Sequence, residues 1–231
     1  MDEITRHTLV SLNATFYDSL AAPFSESRAA PQPGYARLAL YLPTAEFTVL
    51  DVGCGNGRFA HYLLEQGLHF NYTGVDFSQP LLDEARQYGT CYWRDLSRAD
   101  LDGLGEFDLI VCLSTLQHIP GQSIRERLVR QMRNLLRPRG VIILANWQFL
   151  DAPRQRRKVQ PWATAGIADE AVEEGDYLLS WERGGQGLRY VALIDAAATQ
   201  RLAEAAGLRI IEQFRSDGRE GDLNLYSVLI H

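Results

Sequence analysis

The sequence is poor in cysteine: Cys54, Cys91 and Cys112 are its only three, an odd number with no CxxC spacing. That argues against a disulfide framework and against a zinc site, and it favours a reducing, cytoplasmic setting. No apolar run approaches the roughly 20 residues that cross a bilayer. The opening residues, MDEITRHTLV, lack the basic flank and apolar core of a secretory leader, so no membrane association is expected. Positive charge is also short. The net charge is -6, so the molecule as a whole is not drawn to phosphates, and any nucleic-acid site has to be a local patch. Repeats, low-complexity tracts and long linkers are absent, and a single domain over residues 1–231 is the simplest reading. A chain of this length buries roughly 70–75% of its unfolded surface and needs no covalent staples.

What the chain does have is alternation. Short apolar or β-branched runs, TVLDVG (48–53), YTGVDF (72–77), CYWRD (91–95), FDLIVCLS (107–114) and VIILANW (141–147), are separated by helical patterns. That pattern predicts βαβ units and a buried parallel sheet, an α/β fold. Ser123 followed by Glu126 has capping-box spacing, and Ile124, Leu128, Met132, Leu135 and Leu136 form one helical stripe ending at RPRG. The tail predicts a helix over 195–207 and strands at 209–214 and 223–230. Residues 151–190, rich in charge and glycine, break the rhythm and are expected as an insertion over the ligand crevice.

In open α/β sheets that crevice lies beyond the carboxyl ends of the strands. The residues there are Asp51 with Gly53, Gly55 and Gly57, then Asp76, then Asp95, then Ser114 to His118. The glycines permit close backbone approach, and Asp76 can accept from both hydroxyls of a ribose, which implies a nucleoside. A dinucleotide fingerprint needs GxGxxG, whereas Arg58 stands where the third glycine would fall. Three carboxylates at strand ends suit a cationic, phosphate-free nucleoside such as S-adenosylmethionine.

VLDVGCGNGRFA (49–60), GVDFS, RDLS and LLRPRGVIIL resemble the successive motifs of class I S-adenosylmethionine-dependent methyltransferases over about residues 44–149. The resemblance implies a Rossmann-like fold, a seven-stranded mostly parallel sheet with its last strand antiparallel and helices on both faces. It divides the chain into an N-terminal helical cap (1–43), a cofactor-binding core (44–150), a substrate-side insertion (151–190) and a C-terminal helix with strands (191–231). It places Gly53, Gly55 and Gly57 along the methionine moiety of S-adenosylmethionine, and S-adenosylhomocysteine as product. Asp76 then holds the ribose, Asp95 and Leu96 read the adenine edge, Phe77 flanks it, and Asp51 and Ser114 complete the site. FYDSLAAPFSESR (16–28) and LSTLQHI are further similar to the tRNA wobble-uridine carboxymethyl methyltransferases, with matches at Tyr17, Phe24, Ser25 and Arg28. In that family the acceptor is tRNA, and an activating protein subunit is a possible partner. The family's paired histidines appear here as Gln117-His118, and its aromatic substrate segment is reduced to LRYVAL around Tyr190.

Several positions keep two readings. Asp95 serves equally as a helix N-cap before LSRADL. Arg28 is either a surface arginine or a partner for the methionine carboxylate. His118 is either structural or the acceptor-side contact and catalytic residue. The run RQRRK supplies Arg154, Arg156, Arg157 and Lys158, either a solvated turn or a phosphate-tracking patch with Trp147, Trp162 and Trp181 near it in sequence. The acceptor is accordingly tRNA, with Gln117, Trp147, Tyr190 and the basic run as substrate contacts, or a small molecule. A non-catalytic cofactor-binding partner protein is the remaining alternative.

Overall fold

Strand β1 (Phe47–Val52) is mostly apolar and lies inside a seven-stranded sheet, where Val49, Leu50 and Val52 are fully buried. The computed structural model describes residues 1–19, 30–98, 100–182 and 185–231. The other strands of this sheet are β2 (Phe70–Asp76), β3 (Thr90–Trp93), β4 (Phe107–Leu113), β5 (Leu136–Trp147), β9 (Arg209–Ser216) and β10 (Asn224–Ile230). Their order is β3-β2-β1-β4-β5-β10-β9. Val49 pairs in parallel with Tyr72 on one side and Leu109 on the other, while β10 runs antiparallel to both its neighbours. The order reverses at β1/β4, so the carboxyl ends of those strands open a crevice.

The two-residue period of the strands sends alternate side chains into two cores. Leu50, Val52, Ile110, Cys112, Ile142 and Leu144 enter one face. They meet Leu128, Val129 and Met132 of helix α5 (Gln122–Asn134) and Leu202 and Ala203 of helix α7 (Ala196–Ala205). Val49, Leu109, Val111, Ile143 and Ala145 enter the other, covered by α3 (Arg58–Glu65) and α4 (Gln79–Ala85) through Phe59, Leu63, Leu82 and Ala85. Each Val, Leu, Ile, Phe or Met side chain buried in this way contributes about 1.5–3 kcal/mol. The short helices α2 (Tyr35–Leu38) and α6 (Pro153–Arg156) complete the set after α1 (Glu3–Ser19).

Two local expectations are corrected. The N-cap of α5 is Gly121, and the Gln122 amide donates to Glu173 Oε2 at 2.8 Å. Glu126 takes no part in a capping box, because it accepts from the Gln122 side chain at 3.0 Å. The helix also ends before RPRG, at Asn134, and Leu136, expected on the helical stripe, already belongs with RPRG to the next strand. That strand is β5, where a register shift between Phe107 and Leu109 and a positive φ of 72° at Arg139 absorb the extra residues.

Residues 151–190 are more regular than their composition suggests. Strands β6 (Val159–Gln160), β7 (Asp176–Trp181) and β8 (Gly187–Ala192) form a separate antiparallel sheet. Helix α1 is tied to it through Asn13, whose side chain donates to Tyr190 O (3.2 Å) and His118 O (3.1 Å) and accepts from Tyr190 N (2.8 Å). No helix among the described residues is long and apolar enough to cross a membrane.

Candidate functional site

The turn after β1 is closed by the sheet itself: Gly53 N and Cys54 N both donate to Val75 O, at 2.7 and 3.1 Å. The backbone there has φ of +77° at Gly53 and +53° at Gly55, values that L side chains rarely adopt. A Cβ on Gly53 would lie 2.1 Å from Thr115 Oγ1, whereas one on Gly55 would meet nothing within 4 Å. Gly53 is thus packed and Gly55 faces space. That space is a cavity of about 250 Å³ at the carboxyl ends of the strands. Gly53, Gly55, Asp51, Asp76, Phe77, Asp95, Leu96, Ser114, His118 and Tyr17 all line it, as do Asn13, Leu81, Trp93 and Thr115. Gly57 is held differently, with its α-carbon turned towards the Tyr88 ring, and is not among the lining residues. Arg28 lies outside the described residues.

Asp76 ends β2 buried, each carboxylate oxygen accepting one amide: Oδ2 from Gly55 N and Oδ1 from Ser78 N, both at 2.9 Å. Burial raises its pKa, and those same amides oppose the rise. Each oxygen retains a lone pair for a ligand hydroxyl. Asp95 accepts from both Ser97 N (3.0 Å) and Ser97 Oγ (2.6 Å), so it caps the turn Leu96–Arg98 while lining the cavity. Ser114 has a positive φ of 60°, with its amide on Ala145 O at 2.8 Å, which turns the chain sharply after β4.

Asp51 lies beneath the glycine turn. Burial raises its carboxyl to about 7, the Tyr72 hydroxyl at 3.1 Å lowers it, and the Asp76 charge raises it further. A folded-state value above the ordinary carboxyl value of about 3.9 makes the contribution of Asp51 to stability complete below that pH and lost as pH rises through about 7. Asp51→Asn is therefore expected to unfold at a temperature that depends less on pH between 5 and 8 than wild type, by thermal denaturation followed by circular dichroism. Parallel curves for the two proteins would place the titrating group elsewhere.

On the acceptor side, His118 packs edge-on against Tyr17 (5.6 Å between centroids) and Trp147 (5.4 Å). Gln117 and Tyr190, expected as substrate contacts, are fully buried behind it and make no opening on the cavity. Gln117 Oε1 accepts from Trp147 N at 2.7 Å, and the Tyr190 hydroxyl donates to Asp176 Oδ1 at 2.6 Å and accepts from Arg125 Nη1 at 3.0 Å. They frame the site from behind, Gln117 on the short turn Leu116–His118 and Tyr190 on β8. In the basic run, Arg154, Arg156 and Arg157 are exposed, and half-buried Lys158 reaches back towards Trp181 with its Nζ 5.8 Å from the ring centroid. Trp93 ends β3 and Thr115 directly follows Ser114, so both share the strand-end signal that marks Asp76 and Asp95. Asn13 carries no sequence signal of its role.

The cavity fits S-adenosylmethionine on three structural counts. Gly55 leaves room where a Cβ would stand, Asp76 offers buried lone pairs to a ribose, and Asp51 and Asp76 supply negative potential for a cationic sulfonium. Comparison with known proteins agrees. Residues 50–142 match the family model described as a methyltransferase domain. A methyltransferase of Encephalitozoon cuniculi is 28% identical over 201 residues, 85% of this chain and 87% of the relative. The tRNA (carboxymethyluridine(34)-5-O)-methyltransferase of Arabidopsis thaliana is 28% identical over 137 residues, 57% of this chain but 31% of the relative. A ubiquinone biosynthesis O-methyltransferase of Rickettsia bellii is 27% identical over 110 residues, covering 46% of this chain and 44% of the relative. Among solved structures, an S-adenosylmethionine-dependent methyltransferase from Clostridium acetobutylicum superposes with a TM-score of 0.64 at 16% identity, covering 94% and 96% of the two chains. With its motifs, strand order and cavity in agreement, the chain carries a methyltransferase domain over residues 50–142 and has the fold of S-adenosylmethionine-dependent methyltransferases of known structure.

Proposed function

We propose that the chain methylates a carboxylate oxygen, and that the acceptor is a carboxymethyl group on a tRNA wobble uridine. The observation that carries this reading is the engagement of both ring nitrogens of His118. Nδ1 lies 3.1 Å from Tyr190 O, and a carbonyl only accepts, so Nδ1 holds the proton. Gln117 Oε1 is fixed by the Trp147 amide, which leaves Gln117 Nε2 as the donor to His118 Nε2 at 3.4 Å. A histidine held in this way serves as a wall and not as a proton acceptor. It suits a carboxyl group with an ordinary pKa near 4, which is already ionised at neutral pH, better than a phenol or hydroxyl that must lose a proton.

When bound, S-adenosylmethionine supplies a methyl group on a positively charged sulfur. The chain's own residues do the positioning. Asp76 and the glycine turn would fix the nucleoside, Asp95, Leu96 and Phe77 would enclose the base, and Tyr17 and His118 would present the acceptor, so that proximity and orientation provide most of the acceleration. The name of the Arabidopsis relative supports the tRNA acceptor, as do the exposed arginines of the basic run. The net charge of -6 and the ubiquinone-biosynthesis relatives favour a small-molecule acceptor as the second reading.

The bond formed separates the two. A methyl ester is hydrolysed by mild alkali, whereas an aryl methyl ether or an N-methyl group is not. Label from methyl-labelled S-adenosylmethionine is expected in bulk tRNA and is expected to leave as volatile methanol after brief alkali. Alkali-stable label confined to a low-molecular-weight extract would overturn the carboxylate acceptor and establish the second reading.

A further inference from the structure

We propose that Arg189 anchors an oxyanion-binding site in the acceptor half of the protein, which receives a negatively charged group of the methyl acceptor. The proposal deepens the methyl-transfer reading above and rests on it. Arg189, on β8, is only 2% exposed. Its guanidinium carbon lies 4.4 Å from the centroid of Trp147, 5.1 Å from Trp181 and 5.3 Å from Phe16. These rings belong to β5, β7 and α1, so three elements converge on one cation.

The rings attract the charge through their faces but offer no oxygen to its N–H groups. Nε and Nη1 are buried without a hydrogen-bond partner. None of the ion pairs found among the described residues includes Arg189. Burial lowers its pKa and the neighbouring Tyr17 opposes this, but a guanidinium remains charged at neutral pH. A second cation shares the same indole, since Lys158 Nζ lies 5.8 Å from the Trp181 centroid. Burial and then the charges of Arg189 and Arg154 depress the pKa of Lys158, with the exposed Glu182 acting the other way.

Two cations on one ring, one of them fully buried with Nε and Nη1 unpartnered and the Tyr17 hydroxyl as a neutral hydrogen-bond partner, form an arrangement that an oxyanion completes. A buried charge left without a partner is costly, and proteins keep such groups where a ligand supplies the partner. The location ties the site to the acceptor. Trp147 packs against both Arg189 and His118, and Tyr17 neighbours both as well. His118 and Tyr17 line the cofactor cavity, so Arg189 stands one aromatic ring behind its acceptor wall. A carboxylate or a phosphoryl group would present the required oxygens.

The test uses the full chain with sodium acetate and methylphosphonate as probes, against sodium chloride at equal ionic strength, read by tryptophan fluorescence and thermal unfolding. At least one oxyanion is expected to give a saturable change and a raised Tm. Arg189→Gln should weaken that binding tenfold or more, while its Tm in chloride is not below wild type, because an uncompensated charge has been removed. A purely structural arginine would instead lower the Tm on replacement. Lys158→Ala, at a half-buried position, should weaken binding several-fold and keeps the test available should Arg189→Gln fail to fold. A response to acetate identifies a carboxylate ligand, and a response to methylphosphonate alone a phosphoryl ligand. Equal responses to all three salts, or an oxyanion response that survives Arg189→Gln, would overturn the site. Titration of S-adenosylmethionine on the same preparation separates the two levels: cofactor binding without any oxyanion effect removes the oxyanion site alone, and absence of cofactor binding removes the methyl-transfer reading.

Discussion

Asp76→Ala is expected to abolish measurable S-adenosylmethionine binding. If the two ribose hydroxyls donate to this carboxylate, each bond to a charged acceptor contributes about 1.5–3 kcal/mol. Loss of both corresponds to roughly a hundredfold to ten-thousandfold in Kd. The effect has a second source within the protein, because the carboxylate also accepts from Gly55 N and Ser78 N at 2.9 Å. Without it the glycine turn loses the acceptor that connects it to β2. Asp76→Asn, which keeps one carbonyl oxygen, should fall between wild type and Ala. Calorimetric titration checks this, with circular dichroism to establish folding, and wild-type affinity in folded Asp76→Ala would show that the ribose lies elsewhere.

The second large effect comes from Gly53→Ala, and its meaning lies in the contrast with Gly55→Ala. At Gly53 the new methyl would overlap Thr115, 2.1 Å from Oγ1 and 2.3 Å from Cγ2, in a backbone at φ +77°. Overpacking costs about 1–3 kcal/mol and the left-handed conformation a further 1–2 kcal/mol or so. At roughly 2–4 °C per kcal/mol for a chain of this size, Tm should fall by about 5–15 °C. Thr115 would be displaced too, and its hydroxyl now donates to Gly53 O at 3.2 Å. Cofactor binding should be lost together with stability. At Gly55 the methyl meets nothing within 4 Å, so only the φ strain remains and Tm should drop by a few degrees. Its methyl would stand in the cavity and should still reduce cofactor affinity at least tenfold. Unaltered affinity in Gly55→Ala would mean that the cofactor does not lie against the turn.

The central sheet and the cavity at its carboxyl edge are legible in the sequence because parallel strands buried on both sides must be continuous apolar runs. VLDV, GVDF and LIVCL have few alternative structures available to them, and the residues that follow each run necessarily share one edge of the sheet. Asp51, Asp76, Asp95 and Ser114 are placed by that argument alone. The antiparallel sheet of β6, β7 and β8 is not legible, since YLLSW and LRYVAL are short, mixed in polarity and separated by a glycine-rich stretch, and their partners are not periodic. Tyr190 shows the consequence. Read as a substrate contact from its place in LRYVAL, it is fully buried, and its neighbour Arg189 occupies the aromatic cage instead. A shift of one residue along a strand exchanges the two faces, and the sequence alone does not specify which face meets the aromatic rings. Asn13 is invisible for a different reason, because its bonds to Tyr190 and His118 span sequence separations of 177 and 105 residues.

The measurement that bears most directly on the whole account is an equilibrium titration of the purified chain with S-adenosylmethionine, S-adenosylhomocysteine and NAD in parallel. Asp51, Asp76 and the GxGxG turn predict saturable one-to-one binding of the first two and none of NAD, because the turn lacks the third glycine that a pyrophosphate site requires. Saturable binding of NAD, or no binding of S-adenosylmethionine by the folded protein, would contradict it.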